Sequence, residues 1–425
     1  MEFSYHLDER PPLGDLLLFG LQWLAIALPS IVIIGRVVAG LHTAGPATEI
    51  LYLQKLSLVT GLTMAVQILI GHRLPLVAGP AAVLLIGVVA SRSYPVGVIY
   101  GSILCGGLLL FLLAASGLFR TVVKLFTPRI VAAVLLLIAF TLLPTIRNLL
   151  TAPGNGATSL AGLGFAAALI LVLFAVQRQL TGIWKATLIV WGVVAGTLAW
   201  LFFYPAPLPL ADLPAASFPL RHWAIGEFAI DPGVLLAFLF CYLALAVNDL
   251  GSIQAMAGLL KPSDMPGRIS RGVSVTGLGN VLAGALGVLG PVDFSLSPGV
   301  IAASGCASRY VLLPAAAVLM LLAFTPRALA VLGAVPPVVV GAILLFILCS
   351  QVGAGLTALL AGEEPFRFEH GLILGLPLLL GTLVAFLPPA VTASFPAVLR
   401  PVLGNGFVVG TLTALLLEHG LLRPE

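Results

Sequence analysis

The sequence predicts an all-α polytopic membrane protein of about fourteen transmembrane segments, arranged as two inverted repeats of seven. Three observations predict it. Of 425 residues, 60% are hydrophobic and 8% charged, whereas a soluble domain carries roughly 25% charged residues. The apolar residues gather in runs, enough for about a dozen spans of ~20 residues each. Two of these runs are short, interrupted by proline, and occupy matching places in the two halves. So few charges cannot cover a chain of this length in water, which excludes a soluble enzyme, a nucleic-acid binder and a disordered scaffold. The formal charge of +4 gives no argument for nucleic acid, and the lipid bilayer is the chain's solvent.

The first span, Leu13–Val38, follows a polar, acidic start (MEFSYHLDERPPLGD) that lacks the form of a cleavable signal, so the run is retained. Ile50–Ile70, a short run at Leu76–Ala90, Val96–Ala115, Ile130–Leu149, Leu160–Val176 and Ala186–Tyr204 complete the first seven. A proline-rich stretch at 205–230 separates them from Pro232–Leu260, Val273–Leu289, a short run at Pro298–Cys306, Val311–Phe324, Ala328–Ser350, Gly371–Leu387 and Phe395–Leu417. Threading these in order places thirteen of the twenty Lys and Arg on the side of the N-terminus, Arg120, Lys124 and Arg423 among them. The other side holds seven: Arg36, Lys55, Arg92, Arg147, Arg221, Arg327 and Arg400. Positive charge favours the cytoplasmic side, so both termini are expected inside, in a cell inner membrane.

The two halves repeat. PRIVAAVLLLI (Pro128–Ile138) and PVVVGAILLFI (Pro337–Ile347) are identical at six of eleven positions. They belong to the fifth and twelfth spans, and an offset of seven inverts one copy relative to the other across the membrane.

The short third and tenth spans open LPLVAGPAAVLLIGV and GPVDFSLSPGVIAASG. Each begins with extended residues, then a small residue and a proline, then a brief helical run. Gly79-Pro80 and Ser297-Pro298 read as an N-cap followed by proline at the first helical position. A helix that starts at mid-membrane leaves backbone N–H groups unpaired and aims its positive dipole end at that point. Two such starts make a polar pocket for a small molecule bearing acceptor groups. The alternative is a pair of re-entrant loops with a structural role only.

Within the apolar runs, Asp249 stands out in LALAVNDLGSIQAMAG, beside Asn248, Ser252 and Gln254. A carboxylate in the membrane interior is costly and marks function by default. It would hold a substrate donor, carry a proton or coordinate Na⁺, unless it pairs structurally with an Arg or a helix end. Asp293, four residues before Ser297, either faces the site or ends a loop near the surface. Gln22 in the first span lines the site or bonds a neighbouring helix. Asn248 offers a donor and an acceptor, and Ser295 and Ser297 offer further hydroxyls; Ala82 and Gly299 lie in the first turns of the two half-helices. The six histidines fall at span ends or in loops and none is assigned a proton relay. The four cysteines are too scattered for a metal or disulfide framework and read as small buried hydrophobes. No metal site or cofactor motif is present, and no HExxH, GxSxG or P-loop suggests an enzyme.

With GLQWLA in span one, GHRLPLVAGPAAVLLIGV into span three, GLFRTVVKLFTPRIVAAVLLLIAFTLL in spans four to five, NDLGSIQA in span eight and RISRGVSVTGLGNVLAGALG leading to SPGVIAASGCASR, the chain resembles the nucleobase–ascorbate transporter family, the uracil/xanthine permease type. The resemblance implies a core domain of spans 1–4 and 8–11 (residues 1–120 and 231–325). It implies a gate domain of spans 5–7 and 12–14 (residues 121–204 and 326–425). It further implies alternating access, proton or sodium coupling, a small-molecule substrate and a homodimer. The family's substrate-contact motifs read differently here. Asn248 stands where the family has a glutamate three residues before glycine, with Asp249 one step on, and Ser252 follows that glycine. Span ten reads Leu296, Ser297, Pro298 and Gly299 where the family has Glu or Gln, then Asn, then x-Gly, and span one reads Gln22-Trp23 where the family has Gln-His. A small-anion carrier of the same architecture and an uncoupled facilitator or channel therefore stay open beside nucleobase symport.

Overall fold

The computed structural model describes residues 3–42, 45–119, 125–152, 156–181, 184–185, 187–206, 227–360, 367–396 and 399–422. Most of the inter-repeat loop, the topology markers Arg120, Lys124, Arg221 and Arg423, and the expected start of the seventh span at Ala186 lie outside the described residues.

The first half runs α1 (Leu13–His42), α2 (Pro46–Leu69), β1 (Ala78–Pro80), α3 (Ala82–Ala90), α4 (Val96–Ala115), α5 (Pro128–Thr141), α6 (Leu143–Thr151), α7 (Ser159–Gln179) and α8 (Leu188–Phe203). The second runs α9 (Pro232–Leu260), α10 (Met265–Leu286), β2 (Pro291–Asp293) and α11 (Ser297–Ser304), then a 3₁₀ turn into α12 (Leu312–Leu322) and α13 (Pro326–Gly333). It ends with α14 (Pro337–Leu360), α15 (Phe368–Ala385), α16 (Pro389–Ala393), α17 (Arg400–Leu403) and α18 (Gly406–Leu416), the last continued by a π turn at Leu417–Leu421. The order helix, helix, strand, half-helix, helix recurs in both halves. The protein is an all-α, multi-pass membrane protein of two inverted repeats with short strands leading into half-helices.

Local chemistry sets most boundaries. Thr127, Asp231, Asp264 and Asn405 cap α5, α9, α10 and α18 with their side-chain oxygens, and proline opens α5, α9 and α10 within the first two positions. Among the described residues, seven helices are long and apolar enough to cross a membrane, or eight if one bent pair counts as a single span. Helix α2 is not among them, because Gln54, Ser57, Thr60, Thr63 and Gln67 dilute its apolar character although all five are buried.

The fifth expected span stands as one crossing, Pro128–Thr151, with a local break at Leu142 between α5 and α6, since Pro144 has no N–H to continue the ladder. Three expected spans are corrected. The ninth starts at Met265 rather than Val273, because the polar stretch before it donates inward: Arg268 Nη1 bonds the His72 and Arg73 carbonyls at 2.9 Å each, and Ser270 Oγ bonds the Ala114 carbonyl at 2.9 Å. The twelfth is split by Pro336-Pro337, so residues 328–333 belong to α13, bent by 103° from the helix before it. The fourteenth restarts at Gly406 after the Asn405 cap. Of the cysteines, Cys241 and Cys306 are buried, but Cys105 is half-buried and Cys349 exposed.

Strands β1 and β2 join the repeats at their centre. They pair antiparallel, Ala78 with Asp293, Gly79 with Val292 and Pro80 with Pro291. One further bond at each end extends the ladder, Ala81 N–H to the Gly290 carbonyl (3.0 Å) and Phe294 N–H to the Val77 carbonyl (2.9 Å). Helices α4 and α10 clamp this centre from one side through backbone contact. A Cβ added at Gly277 would lie 2.6 Å from the Phe111 nitrogen, and one at Gly284 would lie 2.5 Å from the Leu104 nitrogen. Small residues let transmembrane helices approach this closely.

Candidate functional site

The site forms where α9 and α10 cross the end of β2. Asp249 is fully buried. Its Oδ2 accepts the Thr276 hydroxyl at 2.8 Å, and its Oδ1 accepts the Asp293 amide N–H at 3.1 Å. Thr276 Oγ1 in turn accepts from Gln67 Nε2 at 3.0 Å, and the same nitrogen donates to the Gly272 carbonyl at 2.9 Å. One turn of α9 holds the strand from the other side: Asn248 Nδ2 and Ser252 Oγ both donate to the Asp293 carbonyl, at 3.3 and 3.0 Å. The three polar residues of NDLGS thus converge on one residue of the opposite element, which explains the unusual polarity of this helix stretch.

Asp293 is buried in this cluster and does not end a surface loop. Its Oδ2 lies 3.2 Å from His72 Nε2, and both groups are buried. The Leu74 N–H donates to His72 Nδ1 at 2.9 Å, so Nδ1 carries no proton and a neutral ring carries it on Nε2, facing Asp293. His72 sits at a span end, in the turn after α2, yet its ring faces this cluster. Nothing in GHRLPL marks that: the turn is sealed by the buried guanidinium of Arg268, almost two hundred residues away.

The remaining sequence candidates separate. Gln22 is buried, and neither atom of its amide has a protein partner. Ser297 is buried and engaged: its Oγ accepts the Val77 N–H at 3.1 Å and donates to the Phe294 carbonyl at 2.9 Å. Ser295 and Gly299 are exposed, and a Cβ at Gly299 or at Gly251 of α9 would meet nothing within 4 Å. Helices α9 and α11 are in contact, so these positions leave open ground beside Asn248.

The half-helix starts are also corrected. Gly79 and Pro80 belong to β1, and α3 opens at Ala82 after Ala81, because strand pairing with Val292 and Pro291 claims them first. Ser297 is the first residue of α11 and Leu296 its cap, with Pro298 second. The α11 start also holds fewer free donors than expected, since the Ser297 and Gly299 N–H groups bond the Phe294 and Leu296 carbonyls and Pro298 has none. The Ala82 and Val83 amides of α3 keep the first-turn geometry that lacks intrahelical acceptors. Among the described residues, no three His, Cys, Asp or Glu are grouped to hold a metal ion.

Two inverted repeats whose strands pair at the centre, each leading to a half-helix, beside a buried carboxylate are the architecture of a membrane transporter for small molecules. The Permease family model (Xan_ur_permease) matches residues 14–390. The chain belongs to this family, in agreement with its resemblance to nucleobase–ascorbate transporters. Among similar proteins, the uric acid permease PucJ of Bacillus subtilis (strain 168) is 24% identical over 384 residues, covering 87% of this chain and 84% of the relative. The nucleobase transporter PlUacP of Paenibacillus larvae is 26% identical over 386 residues (88% and 87%). The xanthine permease of Bacillus subtilis is 24% identical over 352 residues (82% and 79%). These relatives are permeases, not enzymes. Among solved structures, the transmembrane domain of a cyanobacterium bicarbonate transporter, BicA, aligns with a TM-score of 0.58 at 17% identity, covering 88% of this chain and 96% of that one. The murine anion transporter Slc26a9 in its inward-facing state aligns at 0.63 and 12% identity, covering 96% and 69%. At these identities the likeness is one of fold.

Proposed function

We propose that this protein is a proton-coupled symporter of a purine base such as xanthine or uric acid. The carrying observation is Asp249, a buried carboxylate held between Thr276 and the β2 backbone and flanked by Asn248, with open ground at Gly251, Ser295 and Gly299. The names of the relatives support the substrate class. Asn248 uses one N–H on Asp293, and its second N–H and its carbonyl match the adjacent acceptor and donor of a purine edge. Protons are favoured over Na⁺ because both Asp249 oxygens face hydrogen-bond donors, which would repel a metal cation.

In this reading the core domain (1–120 and 231–325) carries the site past the gate domain (121–204 and 326–425) by alternating access. The protein works as a homodimer in the inner membrane with both termini cytoplasmic. Loading Asp249 with a proton turns its Oδ2 from acceptor to donor toward Thr276 of α10, so the proton and the substrate at Asn248 act on neighbouring residues of α9. The test is uptake of radiolabelled xanthine or urate into proteoliposomes under an imposed pH gradient, a Na⁺ gradient or neither. Acid-outside accumulation that is lost in Asp249→Asn, with equal-pH exchange retained, supports the proposal. Accumulation driven only by Na⁺, transport of bicarbonate or sulfate in place of purines, or unchanged accumulation in Asp249→Asn refutes it.

A further inference from the structure

We infer that the buried hydroxyl face of α2 is a hydrated proton path that leads to Asp249, with Thr60 and Thr63 as its relay residues. This rests on the proton-coupled reading above and adds the route by which the proton arrives. Ser57, Thr60 and Thr63 are buried within the core, and none of their hydroxyls has a protein partner. Single helix hydroxyls also lack a partner at Thr197, Thr382 and Thr411, and others bond their own backbone, as Ser102 does on the Val98 carbonyl (2.8 Å) and Thr141 on Leu137 (2.6 Å); among the described residues α2 is where three such hydroxyls share one helix. A buried hydroxyl without a partner costs about 1–3 kcal/mol, and a polar interior position is served by ordered water when the protein offers nothing.

The stripe has a direction and an end. Thr60, Thr63 and Gln67 recur at helical spacing on one face of α2, about 10 Å from first to last at 1.5 Å per residue. Thr63 Oγ1 faces α10 at Gly279, where an added Cβ would approach it to 2.5 Å. Gln67 then bonds Thr276, and Thr276 bonds Asp249. At the other end of α2 the Tyr52 hydroxyl accepts the Leu289 N–H at 3.0 Å and lies beside the Tyr100 hydroxyl. The Tyr100 ring meets His42 at 5.9 Å, where α1 ends. Polar groups thus run from the end of α1 to the coupling carboxylate. The groups facing Asp249 are Thr276 from α10, the Asp293 amide from β2 and, through the Asp293 carboxylate, His72. The Gln67 amide orients Thr276 and carries no proton; in the proposed path a water bridges Thr63, beside Gly279, to Thr276 one turn away. Each hydroxyl or water passes on one proton as it accepts another, so the path ends as it began, and the net event is one proton delivered to the Asp249 carboxylate.

The test uses Thr60→Val and Thr63→Val, which keep shape and remove only a hydroxyl that nothing in the fold uses. In proteoliposomes, acid-outside accumulation of xanthine or urate and the accompanying internal acidification (read with a trapped pH dye) are expected to fall at least tenfold. Equal-pH exchange should stay within twofold, and Thr63→Ser should restore accumulation. Accumulation within twofold of the parent in both valine variants, a parallel fall of accumulation and exchange, or failure of Thr63→Ser to restore it each overturns the path. Asp249→Asn separates the two ideas: if it retains full accumulation, the coupling assignment fails whatever the threonine variants do.

Discussion

Ser297→Ala tests whether a conspicuous serine at a half-helix start serves the substrate or the fold. The Ser297 hydroxyl ties the backbone before β1 to the first turn of α11, accepting the Val77 N–H and donating to the Phe294 carbonyl. Removing it affects the two partners unequally. The Phe294 carbonyl keeps a second donor, the Ser297 N–H at 3.2 Å, whereas the Val77 amide, on a fully buried residue, loses the acceptor recorded for it. An unsatisfied buried donor costs about 1–3 kcal/mol, so the variant should lose about 2 kcal/mol of stability. Its KM for the transported base should stay within twofold, because the hydroxyl is already committed to both its partners. Ser295→Ala is the counterpart: an exposed serine, expected to leave stability unchanged and to raise KM severalfold. Denaturant unfolding in detergent micelles alongside uptake kinetics reads both quantities. A tenfold rise in KM for Ser297→Ala at unchanged stability, worth about 1.4 kcal/mol in binding, would show that Ser297 contacts the substrate and that the structural argument is wrong.

Three further outcomes are expected. Gly277→Val places a side chain against the Phe111 backbone; overpacking where neither helix can retreat costs about 3 kcal/mol, so size-exclusion chromatography should show little monodisperse protein. Glu418→Ala removes the buried carboxylate 3.1 Å from the Arg129 Nε and should destabilise the protein by about 2 kcal/mol, seen as a lower unfolding midpoint. The hydrogen bond to Asp15 holds the Tyr5 phenol above its ordinary value. The neutral phenol is therefore the form the fold favours. Its contribution is fully present below about pH 10 and fades as pH rises through the elevated value. Limited proteolysis of the N-terminal segment should accelerate in that alkaline range, and Tyr5→Phe should make the rate insensitive to it.

What the sequence revealed and concealed follows from the range of each signal. Apolar runs, capping residues and the paired half-helices are local patterns, and most helices were legible from them, whereas the breaks at Leu142, Pro336-Pro337 and Asn405 were not. Asp249 was legible because a lone carboxylate in an apolar run has no ordinary explanation. His72 was not, because its environment is assembled from residues some two hundred positions away: Arg268 seals its turn, and Asp293 faces its ring. Gly79-Pro80 carried a correct signal for a helix entrance, displaced because strand pairing with the other repeat outranks a local capping preference. The polar residues that begin α10 resemble a loop in the sequence because their acceptors, carbonyls of the 71–73 turn and of α4, are set only by tertiary structure. Chemistry was legible by residue type, whereas partnership was not.

The β1–β2 ladder carries a consequence for the history and the synthesis of the molecule. Each strand's backbone is satisfied by a strand translated more than two hundred residues away, and exposed strand edges are not tolerated in hydrocarbon. A ribosome that has delivered only the first repeat has therefore inserted a half-finished object, with an open seam that only its inverted copy can close. The first repeat has to be sheltered until the second arrives, and an ancestral single repeat would have needed a twin inserted upside down beside it. Gene fusion would have made that encounter intramolecular, turning a chance meeting of two chains into an obligatory last stage of one.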